Sequence, residues 1–180
     1  MRIIKHKWFF LWEFEEEEKW LNEMSAKGLQ LVGVGYCKYI FEEATPGEYN
    51  YQLELLKQST ASSESIKYIR FMEDMGVEHV GNMLRWAYFR RKASEGEFEI
   101  YSDLESKISY LKRIIGFMFI FVPFLLWAAI VNGINYLNGS NSFALYVSIL
   151  DLLVLSMYSY GLYRLNSKIQ RLRHEKLIRE

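Results

Sequence analysis

The stretch Trp20–Gly33, WLNEMSAKGLQLVG, sets the reading of the N-terminal half, because a similar stretch follows at Tyr68–Gly81, YIRFMEDMGVEHVG. Placing Gly28 on Gly76 matches Trp20 with Tyr68, Leu21 with Ile69, Met24 with Met72, Leu29 with Val77, Val32 with Val80 and Gly33 with Gly81. Apolar residues three and four apart mark one face of a helix, and a glycine directly after them allows the positive φ that closes it. An apolar run then reads as a strand, so a helix-Gly-strand unit occurs twice. With a strand before each helix the order is β-α-β-β-α-β. The expectation is an α+β, ferredoxin-like domain over residues 1–95, one antiparallel sheet with two helices on one face.

Working outward, Lys5–Leu11 reads as a short aromatic strand and Glu15–Lys27 as a helix that opens with acids at its positive dipole end. Leu29–Val34 follows as a strand. Lys38–Glu43 and Glu48–Leu56 flank Ala44-Thr45-Pro46-Gly47 as a hairpin, and the second arm alternates Tyr49, Tyr51, Leu53 and Leu55 with polar residues. The serines that end the polar loop Gln58–Ser65 can cap a helix running from Glu64 to Met75. Val77–Lys92 is a final strand region, and residues 96–113 form a charged linker.

The second half is chemically different. No charged residue occurs from Ile114 to Leu150. A bilayer core of about 30 Å needs roughly 20 apolar helical residues, which residues 114–137 and again 143–163 supply. Pro123 removes one backbone donor inside the first span and predicts a bend. Lys107, Lys112 and Arg113 precede the hairpin; Arg164, Lys168, Arg171, Arg173, Lys176 and Arg179 follow it; the turn between has no base. Basic flanks collect on the cytosolic side, so the expectation is a two-pass protein of the cell membrane with both termini cytoplasmic. Asn138-Gly139-Ser140 matches a glycosylation acceptor, but it lies too close to the bilayer for that reading. Asp151 is the one ionisable group in a span. Its cost in hydrocarbon, about 2.5–3.5 kcal/mol, requires a polar partner; Asn132, Asn135 and Ser148 are the candidates for a structural role, and a functional intramembrane site is the alternative. The tail, 164–180, continues from Leu162 at the end of the second span with Leu165, Ile169 and Leu172 at helical spacing among bases. It either pairs with a second copy as a homodimer or lies on anionic lipid.

Composition excludes several classes of function. The formal net charge is zero, without the basic stripe that direct nucleic-acid binding needs. Cys37 is the only cysteine, so no intrachain disulfide forms, and Glu13 with Glu15–Glu18 interrupts the N-terminal region before a signal peptide could form. His6, His79 and His174 lack metal-ligand spacing, and Gly33-Val34-Gly35 lacks the lysine and following helix of a phosphate loop. No cofactor, metal or catalytic set is expected. The Glu15–Glu18 run reads as a solvated helix start. Among the aromatic strands, half of the rings should face away from the helices, which makes Arg85, Trp86, Tyr88 and Arg90 the candidate face for a ligand or protein partner.

Four blocks carry a family resemblance: Glu18–Leu29 (EKWLNEMSAKGL), Pro46-Gly47-Glu48-Tyr49, Trp86-Ala87-Tyr88-Phe89-Arg90 and Tyr101–Lys107 (YSDLESK). Occurring in this order between Trp8 and Arg113, they resemble the markers of the DUF2812 family, with a departure at Gly76-Val77, where the family usually has Gly-Trp. The resemblance implies a bacterial protein of unknown function with C-terminal membrane helices, often encoded near a PadR-type repressor. The expected function is therefore non-enzymatic: a membrane-anchored cytosolic sensing or regulatory domain whose partner is a ligand or a protein such as a transcriptional regulator. The alternative is a small export, resistance or immunity factor acting through the hairpin.

Overall fold

The computed structural model describes residues 2–139 and 142–179; Ser140 of the glycosylation triplet lies outside them. The chain divides into two units, one ending at Ser102 and one beginning at Asp103.

In the first unit the strands are β1 (Arg2–His6), β2 (Leu29–Gly35), β3 (Lys38–Glu43), β4 (Tyr49–Leu55), β5 (Glu78–Met83) and β6 (Trp86–Lys92), and the helices are α1 (Phe14–Ala26) and α2 (Ser63–Asp74). They make two antiparallel three-stranded sheets, ordered β1-β3-β2 and β4-β6-β5. The duplication is therefore deeper than the sequence match: each half is βαββ, with its last strand in the middle of its own sheet. This corrects the single-sheet ferredoxin-like expectation. The two hairpins even share a defect. Leu31 faces Phe41 and Gly33 faces Ile40, leaving Val32 in a bulge; His79 faces Phe89 and Gly81 faces Tyr88, leaving Val80 in the corresponding place.

Two boundaries differ from expectation. Val77–Lys92 is two strands, because Leu84 adopts φ 56° and turns the chain without a glycine. The N-terminal strand ends at His6, so the aromatic run Trp8–Trp12 is loop, where Phe10 and Trp12 stack at 4.8 Å.

Both helices close on glycines of positive φ, Gly28 at 78° and Gly76 at 84°. After α2, the Gly76 N–H reaches the Glu73 carbonyl and the Val77 N–H reaches Met72, which satisfies two carbonyls of the last turn. Ser62 caps the other end by accepting from the Ser65 N–H. The second sheet is covered on both faces. Ala87 and Phe89 share an apolar cluster with Ile69 and Met72 of α2, together with Phe98, while Trp86 stacks on Phe14 of α1 at 5.8 Å.

In the second unit α3 (Leu104–Phe119), α4 (Val122–Leu137) and α5 (Ser142–Arg179) form an antiparallel helical assembly. Asp103 caps α3 through the Ser106 N–H, so helix begins well inside the stretch expected as linker. Between α3 and α4, Ile120 and Phe121 donate three residues back, to Phe117 and Met118, and Pro123 sits in the first turn of α4; the interruption is the expected effect of the missing proline N–H. Residues 104–137 and 143–178 are long and apolar enough to cross a membrane. The tail continues α5 without a break and buries Leu165 and Ile169, where α3 buries Ile108, Leu111, Ile114 and Met118. Its apolar stripe is thus used within the chain.

Candidate functional site

Helix α1 buries Phe14, Glu17, Leu21 and Met24, a stripe at intervals of three and four. The run Glu15–Glu18 is therefore not uniformly solvated: Glu17 falls on the inward face, with 6% of its surface exposed. Two tyrosines converge on it from different sheets. Tyr39 of β3 donates to Glu17 Oε1 at 2.7 Å, and Tyr88 of β6 donates to the same oxygen at 2.6 Å. Among the described residues no lysine or arginine pairs with this carboxylate, so its compensation comes from two neutral phenols. Burial pushes the Glu17 carboxyl above its usual range, and the bonds from Tyr88 and Tyr39 offset part of that shift. Burial and the neighbouring carboxylate push both phenols up, so they keep their protons.

Aromatic rings wall the trio. Trp20 packs edge-on to Tyr39 at 4.8 Å and also contacts Phe9, and the Lys7 ammonium sits over the rings of Phe9 and Trp20 at 4.7 and 4.9 Å. A second set of bonds ties the halves together beside it. Tyr51 of β4 receives the Leu31 N–H at 2.9 Å and donates to Gln30 at 3.0 Å; Arg90 of β6 reaches the Leu31 carbonyl at 3.1 Å, pairs with Glu78 and lies over Tyr49.

Helix α1 also covers the outer edge of β4. Asn22 accepts from the Tyr51 N–H at 2.7 Å and donates to its carbonyl at 3.2 Å, Glu18 accepts from the Leu53 N–H, and Ser25 donates to the Tyr49 carbonyl. Side chains thus stand in for the missing neighbour strand.

The residues expected on an open face divide. Trp86 and Tyr88 are 3% and 0% exposed, buried beneath α1, because α1 lies against the face of β6 that the sequence left uncovered. Arg85 is spent on the Leu56 and Lys57 carbonyls at the end of β4. The open face lies instead on the first sheet, where Ile4 is half exposed opposite Ile40 and Arg2 pairs with Glu42. In the second unit Asp151 accepts from Asn132 at 2.8 Å across the two apolar helices. His79 bonds Asn82, and among the described residues no three His, Cys, Asp or Glu side chains converge to hold a metal.

Fold and site together define a class: a duplicated βαββ domain, stitched through a buried Glu-Tyr-Tyr trio, followed by two helices of membrane-crossing length. Residues 13–123 match the DUF2812 family, described as a protein of unknown function, and the chain belongs to that family. No curated protein and no solved structure matches the chain.

Proposed function

We propose that the protein is a non-enzymatic, membrane-anchored regulatory protein of the bacterial cell membrane, two-pass with both termini cytoplasmic. In this reading the hairpin holds the duplicated domain at the cytosolic surface, where the domain binds a small ligand or a protein partner such as a PadR-type transcriptional regulator. The observation that carries the proposal is the Glu17 carboxylate, buried at the seam between the two halves with two phenols bonded to it and, among the described residues, no lysine or arginine paired with it. Burying a carboxylate without a counter-charge costs stability, and a buried titratable group held at such a cost is a candidate functional site. A ligand or partner that supplied a proton or a positive charge there would relieve the cost and change how the halves meet.

The basic flanks of the spans support the orientation. The rival reading, an export, resistance or immunity factor working through the hairpin, needs Asp151 to act on something other than its own chain; the bond from Asn132 favours a structural role. Glu17→Gln discriminates. It should abolish the phenotype of a full deletion mutant's complementation while leaving membrane insertion intact, whereas Asp151→Asn should complement fully. The reverse pattern would overturn the proposal.

A further inference from the structure

The feature that the regulatory reading does not use is a cleft of about 340 Å³ at the basic end of the helical unit, lined by Glu105, Ile108, Ser109 and Lys112 of α3 and Arg173 and Lys176 of α5. Three bases face one acid. Glu105 is paired with Lys176, while among the described residues Lys112 and Arg173 have no ion-pair partner, so the cleft keeps uncompensated positive charge. Its depth in a membrane follows from helix geometry. Ser109 lies five residues before Ile114, where the uncharged stretch begins, which at 1.5 Å per residue is about 7 Å from the hydrocarbon edge. Headgroups occupy roughly 5–7 Å on each side of the core. Lys112, the Ser109 hydroxyl and the apolar Ile108 wall therefore lie near the level of lipid phosphates, with Arg173 lining the same cleft from α5. An arginine fork and an ammonium converging there match a phosphate oxygen set.

The geometry points to a binding site for the phosphate of an anionic phospholipid headgroup between α3 and α5, with Lys112 and Arg173 as its cationic ligands and Ser109 as a hydroxyl donor. This inference rests on the membrane-anchored reading. A lipid held there would bridge α3 to the distal part of α5 and so fix the helical unit that carries the domain.

The test is native mass spectrometry of the full chain released from nanodiscs made of equal parts phosphatidylglycerol and phosphatidylcholine. Extraction of cell membranes with alkaline carbonate comes first; release of the protein there would refute the anchor itself, separately from the lipid site. With the anchor intact, wild type should retain phosphatidylglycerol in preference to phosphatidylcholine. Arg173→Gln and Lys112→Gln should each weaken that preference about fivefold, Arg173→Lys should keep most of it, and Arg171→Gln, the same charge change outside the cleft, should leave it unchanged. Equal losses from Arg171→Gln and Arg173→Gln, or no lipid preference in wild type, would overturn the site. Displacement of the lipid by millimolar-range glycerol 3-phosphate would also overturn it, in favour of a soluble phosphate ester.

Discussion

The phenol of Tyr88 donates to Glu17 Oε1 over 2.6 Å, and this bond joins the central strand of the second βαββ half to the helix of the first. Tyr39 meets the same oxygen. Tyr88→Phe should cost about 1–3 kcal/mol, the range for removing a bond to a buried polar group, and Tyr39→Phe a similar amount. Because the donors share one acceptor, the double variant should depart from additivity. Urea titrations followed by tryptophan fluorescence on the full chain in detergent give all three values.

Glu17 also sets a pH dependence. Its folded carboxyl holds a proton to higher pH than the ordinary value of 4.5, through burial. Between that value and the raised folded one, the native state binds more protons than the unfolded chain, so stability falls as pH rises. Glu17→Gln should remove this slope and match or exceed wild type at neutral pH. Thermal midpoints of both proteins across an acid-to-neutral series check the sign.

The edge of β4 depends on α1. Asn22→Ala leaves the Tyr51 N–H and carbonyl without their partners and should destabilise the domain by about 1–3 kcal/mol. It should also expose a strand edge able to pair with another chain, so light scattering at mildly elevated temperature should rise sooner than in wild type.

The two helix-closing glycines are equivalent in the duplication but not in surroundings. A Cβ on Gly28 would meet the Ala44 carbonyl oxygen at 2.9 Å, whereas on Gly76 the nearest atom is a flexible Glu95 oxygen at 3.9 Å. Gly76→Ala should lose about 1–2 kcal/mol for left-handed backbone alone, and Gly28→Ala clearly more. Denaturation midpoints of the pair test the difference, and equal losses would contradict the packing at Gly28.

Much of this architecture is legible in residues. The glycine-anchored match of Gly28 to Gly76 and the two apolar stretches are local patterns that survive into the fold, whereas the expected hairpin across Pro46-Gly47 does not form, because β3 and β4 belong to different sheets. What escaped depends on tertiary context. Leu84 turns a hairpin with a positive φ that no turn residue announces, so two strands read as one and the βαββ order stayed hidden. Trp86 and Tyr88 alternate correctly along β6, but which face a helix covers depends on where α1 lands. Glu17 was masked by its acidic neighbours; its position three after Phe14 and four before Leu21, on the buried stripe, was the available signal. The apolar residues of the tail pair with α3 of the same chain, a choice of partner that spacing cannot specify.

Binding of a regulatory partner by the duplicated domain at the membrane surface can be read most directly by mild crosslinking in native membranes and mass spectrometry of what is captured with the full chain. A soluble regulator that disappears when residues 2–102 are deleted is the expected result. Recovery of only this protein or other membrane proteins, in complexes that survive that deletion, would contradict it and assign the activity to the helical hairpin.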